Sequence, residues 1–353
     1  MVSILPRPSS KPGGGNPLHQ NYPAVSVIIL TFNGAEYISQ LLQSLESQTY
    51  PDDLVEIIVV DNASTDDTVG IIQRSHPAVN LVLNKKNIGF AAGNNQGLLH
   101  AGHDLLVFLN QDTICHPAFI KSLVNTMLND KTLAACNPNI ITRDPPDIES
   151  IDMQSSPLSL FVCDLSPYGY GKNRILSGKP IYYPKLLSGC AFIIRRQTIS
   201  ELDYLFDDQL WMYAEDTDLS LRLHNQGQKI CATRDAVIFH LHRSNPGLTK
   251  NRLLLAGRAV KNRLFVFYKN MGMLEFLFFF PLLFLGGGFK IFEFPLPTAK
   301  KAIYFLPFCL FSMTCMIVAV FQLPGFAAQK RIIIKKRQLA GFSILKLLLT
   351  RSI

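Results

Sequence analysis

The chain has 353 residues, 48% of them hydrophobic, which suffices for one large domain or two modest ones and excludes disorder over most of its length. Its net charge of +8 is unevenly spread: after residue 250 fifteen bases face two acids, Glu275 and Glu293, giving +13 and leaving −5 on residues 1–250. Because the positive charge flanks apolar segments and is absent from the rest, it does not describe a nucleic-acid-binding face.

The opening MVSILPRPSSKPGGGNPLHQNYP has only four apolar positions before Pro, Ser and Gly take over. It lacks the apolar core of a signal peptide and predicts a flexible tail over 1–23. From there the pattern alternates. VSVIIL (25–30) is a continuous β-branched run of the kind buried on both faces, and Ile38, Leu41, Leu42 and Leu45 follow at helical spacing. The unit recurs as VEIIVV (55–60) with DDTVGIIQRS (66–75), VNLVL (79–83) with FAAGNNQGLLHA (90–101), and DLLVFL (104–109) with PAFIKSLVNTML (117–128). This predicts an α/β domain over 24–250, a Rossmann-like, mostly parallel sheet with flanking helices.

Residues 139–185, rich in Pro, Ser and Asp, predict an insertion near the site. KLLSGCAFIIRR (185–196) reads as a strand, EDTDLSLRLHNQG (215–227) as a helix opened by acids and closed by Gly227, and KICAT (229–233) and AVIFH (236–240) as two short strands. Beyond them, 251–353 predicts a basic, hydrophobic, membrane-associated helical region with candidate segments at 273–289 and 303–323. The second is free of charge over 21 residues, roughly 31 Å of helix and about one bilayer core. The first is interrupted by Glu275, Pro281 and three glycines, so an interfacial helix competes with a crossing. Bases on both outer sides would hold the N-terminal domain at the cytoplasmic face. Two buried helices of a soluble protein are the other reading. Seven cysteines without a C-x-x-C pair fit a reducing compartment, with a disulfide between distant cysteines left open.

In a sheet of this kind ligands bind beyond the carboxyl ends of the strands, here TFNGAE, DNASTDD, NKKNIGFAAGNN and NQDT. Neither G-x-G-x-x-G after the first strand nor a P-loop is present, so another way of holding a nucleotide is needed. Asp61 can accept from the N3–H of uracil or thymine; the same stretch, with Ser64 and Asp67, also makes an ordinary turn and cap. Gly89 and Gly93 suit either backbone approach to a sugar or phosphate, or a tight turn into a helix. Asp112 offers a hard oxygen to Mg²⁺ or Mn²⁺. The acids Glu215, Asp216 and Asp218 serve either the helix dipole or a general base, and His240 and His242, two apart on a strand, suit a ligand role for one of them.

The ordered motifs VSVIILTFNG, IIVVDNASTDDT, NKKNIGFAAGNNQG, FLNQDT, LLSGCAFIIRR, EDTDLSLRLHNQG and FHLHRSN, across roughly residues 24–270, resemble the family 2 glycosyltransferases of the GT-A fold. The resemblance is closest to the rhamnosyltransferase-like branch of bacterial envelope polysaccharide synthesis. It implies inverting transfer of a sugar, rhamnose or another such as N-acetylhexosamine, galactose or mannose, from a dTDP- or UDP-linked donor. The acceptor it implies is a hydroxyl of a lipid-linked or polysaccharide glycan at the cytoplasmic face of the cell membrane, with Mn²⁺ or Mg²⁺ as cofactor. Carried residue by residue, it makes Asp61 the base-recognition acid. Around the donor it sets Thr31, Phe32, Asn33, Glu36, Asn62, Ser64, Asn87, Gly89, Phe90, Asn94, Asn110, Gln111 and Gly189. Asp112 becomes the metal ligand with His240 as the second, Asp216 the catalytic base, and Glu215 or Asp218 the residue that orients it or the acceptor. Asn110 stands where the usual D-x-D motif has its first acid, which implies weaker metal binding and motivates a second reading, a membrane-anchored scaffold without turnover. A sugar-1-phosphate nucleotidyltransferase is countered by TFNGAEY, which lacks the glycine cluster and base of such enzymes.

Overall fold

A computed structural model of the chain describes residues 22–142, 159–241, 250–289, 310–338 and 343–349. In chain order the strands are β1 (Val25–Thr31), β2 (Val55–Asp61), β3 (Asn80–Leu83), β4 (Leu105–Asn110), β5 (Thr113–Cys115), β6 (Leu133–Ile141), β7 (Leu160–Leu165), β8 (Gly171–Leu176), β9 (Ile181–Tyr182), β10 (Ala191–Arg195) and β11 (Lys229–His240). The helices are α1 (Ile38–Glu46), α2 (Thr68–Ser75), α3 (Phe90–His100), α4 (Phe119–Asn129), α5 (Arg196–Leu202), α6 (Glu215–Asn225), α7 (Lys250–Asn270), α8 (Met273–Phe289), α9 (Leu310–Val320), α10 (Ala327–Lys336) and α11 (Ser343–Leu349).

The main sheet runs β3-β2-β1-β4-β10-β6-β11-β5, with β9 added against β11. The first four strands are parallel, and their register sets Thr31 opposite Asp61 and Leu30 opposite Asn110, so three strands end at one level. β10 enters antiparallel to both β4 and β6, and β11 lies parallel to β6 and antiparallel to β5. Alternation along β1 builds both faces. Val25, Val27 and Ile29 meet α1 and α4 through Leu41, Leu45, Phe119 and Leu123, whereas Ile28 meets α3, α5 and α6 through Leu98, Leu202 and Leu219. Burial on both faces is why these strands read as unbroken apolar runs.

Three local expectations are corrected. β11 is one strand, bent by a register shift between Ala232 and Val237, because Arg234 and Asp235 fall in a bulge. Residues 139–185 are not wholly irregular: the end of β6, the β7–β8 hairpin and β9 lie within them, while 143–158 fall outside the described residues. β5 and β6 join the sheet where no strand was expected. The tail over 1–23 lies almost entirely outside the described residues, as do His242 and positions 303–309 of the second apolar segment.

The basic C-terminal region does not stand apart from the sheet domain. One apolar cluster joins Leu264, Phe267, Phe279 and Leu348 to Leu186, Leu210 and Leu221, so α7, α8 and α11 share a core with α6 across position 250. Among the described residues no single helix is long and apolar enough to cross a membrane. One pair bent by 63°, Leu310–Val320 with Leu323–Lys336, meets that test together by length and composition only. The 17-residue α8 contains Pro281 and buries Phe276, Phe279 and Leu283 inward.

Beneath that core lies a closed set of charges. Lys269 of α7 is fully buried between Asp207 and Asp218, its Nζ 3.1 Å from Asp218 Oδ1. Arg222 Nε meets Asp218 Oδ2 at 3.0 Å, and Asn270 Nδ2 donates to Asp218 Oδ1 at 2.9 Å. Burial opposes the charge on Asp218, but Lys269 and Arg222 overcome it and hold its carboxyl below the usual range. Removing one partner strands the others without water, an effect on the order of 3–5 kcal/mol. Lys269→Met is therefore expected to lower the free energy of unfolding by about 3 kcal/mol in urea titration; a loss under about 1 kcal/mol would show that α7 is not held through this cluster.

Candidate functional site

The carboxyl edge of the parallel strands carries polar residues whose side chains mostly satisfy one another. Gln111 Oε1 accepts from Thr31 Oγ1 at 2.7 Å and from the Phe32 N–H at 2.9 Å, and its Nε2 donates to Phe32 O at 3.3 Å. Asn33, at φ 49°, accepts the Thr65 N–H on Oδ1 at 2.8 Å, while its own N–H donates to Ser64 Oγ at 2.9 Å. Asn62 donates through Nδ2 to Asn87 Oδ1 and Gly89 O, and accepts on Oδ1 from Asn84 Nδ2 and the Ile88 N–H. Thr31, Asn33, Asn62, Ser64, Asn87 and Gln111 thus frame the edge by tying together the loops after β1, β2, β3 and β4. Phe32 is left exposed beside it, and Glu36 is exposed in the turn leading to α1.

Asp61 is the exception. It is 3% exposed, and Oδ2 accepts the Ser64 N–H at 3.0 Å, but Oδ1 is buried with no hydrogen-bond partner. A buried carboxylate oxygen left this way is costly unless a donor completes it. The ring N–H of a pyrimidine has the chemistry to do so.

In the glycine-rich loop leading into α3 several N–H groups are already engaged within the chain. The Gly89 N–H donates to Asn87 Oδ1 at 2.9 Å and the Ala91 N–H to Trp211 O at 3.0 Å, with Ile88 already on Asn62. Gly89 is required for another reason: at φ +90° it lies under Trp211, where a Cβ would come within 2.5 Å of the indole ring. Phe90 packs on Phe206, and Asn94 is buried on α3 with its amide donating to Phe90 O.

On the far side of β4, Asp112 Oδ2 lies 3.2 Å from His240 Nε2, brought there by the pairing of His240 with Thr113 on β11 and β5. Burial works against protonation of His240, but hydrogen bonds with Asp112 and Cys190 outweigh it and push its pKa up to about 10. Asp112 supplies an oxygen donor, and His240 a nitrogen donor beside it once its ring gives up the extra proton. Among the described residues no third His, Cys, Asp or Glu joins them in a metal-binding group, so the pair fits part of a coordination sphere that substrate oxygens and water would complete. Asn110 is the last residue of β4, two before Asp112, its N–H donating to Cys190 O at 2.9 Å. Cys190, like Cys115, Cys136, Cys231 and Cys315, is a free thiol.

The acids of α6 part company. Asp218 is consumed by the buried cluster and cannot orient a base or an acceptor. Asp216 Oδ1 accepts the Thr217 N–H at 2.6 Å, and its Oδ2 faces the Gly189 N–H at 3.4 Å, which brings the turn before β10 against α6. Burial raises the Asp216 pKa, with Arg263 and these N–H groups acting against it. Glu215 is buried with Oε2 unpartnered, and burial followed by the neighbouring Asp216 charge raises its pKa to about 8. Sequence reasoning missed the residues that hold this arrangement, Trp211, Arg258 and Asn262; the lone tryptophan was the only visible signal.

Comparison with known proteins bears on the family and the fold. The Glycosyl transferase family 2 model matches residues 26–198. Glycosyltransferase AglE of Haloferax volcanii is 34% identical over 108 residues, 30% of this chain and 36% of that protein, so the similarity spans about a third of the relative's length. The crystal structure of S. aureus TarS 1–349 superposes with a TM-score of 0.53 at 17% identity, covering 89% of this chain and 88% of that one. GalNAc-T7 with UDP, GalNAc and Mn²⁺ gives 0.57 at 18% identity, over 70% and 49%. At these identities the superpositions establish an α/β, GT-A-like fold.

The raised pKa of Glu215 has a consequence for stability. Relative to an unfolded carboxyl near 4.5, the folded state holds an extra proton, so this contribution is complete below pH 4.5 and is lost as pH rises through about 8. Glu215→Gln keeps the neutral form at every pH. Melting temperatures measured from pH 5 to 9 are expected to fall less steeply for the variant than for wild type; parallel curves would place Glu215 in contact with water.

Proposed function

The chain carries a family 2 glycosyltransferase domain over residues 26–198, and from that premise we propose that it transfers a sugar from a UDP- or dTDP-linked donor to an acceptor hydroxyl with inversion at the anomeric carbon. The observation that carries the reading is the unpartnered, buried Oδ1 of Asp61 at the carboxyl edge of β2. Uracil and thymine present the same N3–H, so either base completes it. The exposed ring of Phe32 stands beside that edge for the base, and the Thr31–Gln111 and Asn62–Asn87 tethers keep the loops from closing over it.

Asp216 takes the proton of the acceptor hydroxyl as that oxygen bonds to the anomeric carbon, and the bond to the diphosphate breaks with its electron pair leaving on the diphosphate oxygen. Its raised pKa strengthens it as a base while Gly189 and Thr217 fix its direction. Glu215, neutral near pH 7, is suited to hold the acceptor as a donor. A divalent ion, Mn²⁺ or Mg²⁺, held by Asp112 and His240 would neutralise charge on the leaving diphosphate. GalNAc-T7, crystallised with UDP and Mn²⁺, supports a nucleotide-sugar donor and a metal.

The sugar in this proposal is rhamnose or a hexose, and the acceptor a lipid-linked envelope glycan at the cytoplasmic face of the cell membrane. Support for a membrane setting comes from the +13 charge after residue 250 and from exposed Leu274, Leu277 and Phe278 on α8 and Phe321 after α9, a surface suited to resting on anionic headgroups.

Asp216→Asn is expected to reduce transfer at least a thousandfold while nucleotide affinity, read by calorimetry, changes less than threefold; turnover near wild type would remove the proposed base. Asp61→Asn is expected to weaken nucleotide binding about tenfold or more, from the loss of a hydrogen bond to a charged acceptor worth roughly 1.5–3 kcal/mol. Asp112→Ala should abolish the gain in nucleotide affinity on adding Mn²⁺, and a gain equal to wild type would exclude Asp112 as a ligand.

A further inference from the structure

We infer that Asn262, in the middle of α7, is a positioning residue for the transfer step: it holds the strained turn that delivers Glu215 and Asp216 to the site. The inference rests on the reading of Asp216 as the base. The turn before α6 is unusual in its backbone. Trp211, Tyr213 and Ala214 have φ of 58°, 72° and 66°, three non-glycine residues in the left-handed half of the map within four positions. Residues with a Cβ avoid that region, and several so close together persist only where neighbours over-determine them.

Asn262 supplies that constraint. Its side chain is buried, and Nδ2 donates to Leu210 O at 2.7 Å, Met212 O at 2.9 Å and Tyr213 O at 3.0 Å. Two N–H groups thus serve three carbonyls of the turn, of which Leu210 O also accepts the Met212 N–H at 2.6 Å. The next residue, Ala214, accepts the Asp218 N–H at 2.9 Å and so begins the helix that carries Glu215 and Asp216. The other side of the turn is pinned by Trp211. Its ring lies against Gly89 of the donor loop, its carbonyl accepts the Ala91 N–H, and the Arg258 guanidinium stacks on the indole at 4.1 Å. Asn262 and Arg258 sit four residues apart on α7, on one face of the helix, so a single element sets the turn from both sides. Without the Asn262 amide the bonds that tie Leu210, Met212 and Tyr213 to α7 are lost, the left-handed turn can relax, and Asp216 shifts against Gly189. None of the Asn262 contacts reaches Asp61; the turn meets the donor loop through Trp211 alone, which Arg258 holds separately.

The test uses the full chain with Asn262→Ala and the isosteric Asn262→Asp, which removes the donors without opening a cavity. A misplacement of about 1 Å can slow a reaction about a hundredfold, so kcat is expected to fall ten- to a hundredfold while the donor KM and the nucleotide Kd stay within twofold. Trp211 is the only tryptophan, so acrylamide quenching of its fluorescence reads the turn directly and should rise in both variants. A kcat within twofold of wild type overturns the inference. So does a fall in kcat matched by an equal fall in nucleotide affinity, which would mark a general loss of fold. Arg258→Gln, at a part-exposed position, keeps the test open if neither Asn262 variant folds: quenching rises and kcat drops at least threefold, and no change in either overturns the proposal. If wild type itself releases no nucleoside diphosphate, the transferase reading fails. The quenching comparison then decides the clamp by itself, with equal quenching in wild type and variants overturning it.

Discussion

A parallel sheet that stops three strands at one level creates a row of backbone and side-chain polar groups with no further ladder to join. That constraint organises this molecule. Thr31, Asp61 and Asn110 end adjacent strands, and the loops beyond them are stitched by side-chain amides: Gln111 to Phe32, Asn33 to Thr65, Asn62 to the 84–89 loop. Each tether satisfies a loop N–H or carbonyl that would otherwise need water. What remains unsatisfied is therefore informative, and Asp61 Oδ1 is the clearest instance at this edge. Many of the residues that a motif reading assigns to the ligand also build the rim around this oxygen.

The same logic separates the acids of α6. Asp218 meets Lys269, Arg222 and Asn270 and is held charged as structure, whereas Asp216 meets only backbone and hydroxyl donors, and Glu215 has an oxygen with none. Three carboxyls within four residues thus occupy three electrostatic environments, and the difference is made by α7, which brings Lys269 and Asn270 to one and Asn262 to the turn before the others. The helix after residue 250 is in this sense part of the site's foundation, whatever surface the apolar residues beyond it meet.

Much of this was legible in the sequence where burial is uniform. β1 to β4 and their helices appear as apolar runs and helical spacing because both faces of the sheet are covered. β6 was not legible, since LAACNPNII includes two asparagines and a proline; in the fold Asn137 is buried and binds Ser188 O and Ala191 O, while Asn139 binds Ser159 O and the Phe161 N–H. Such residues look like a loop until their distant partners are known. The bulge at Arg234 and Asp235 likewise made one strand look like two. At the site, residue types at strand ends raised Asp61 and Asp112 as candidates, and the acids at the start of α6 with the family resemblance raised Asp216. The roles of Trp211, Arg258 and Asn262 depend on contacts between segments roughly 50 to 120 residues apart, which no local pattern encodes.

The most direct test of the account is release of nucleoside diphosphate by the purified full-length chain with Mn²⁺, across UDP-, dTDP- and GDP-linked sugars and a lipid-linked acceptor extract, with the anomeric configuration of the product read by NMR. The account predicts release from a uracil or thymine donor, dependent on acceptor, with an inverted product. A retained configuration, or no release from any donor by a chain that binds none of the nucleotides, would contradict it.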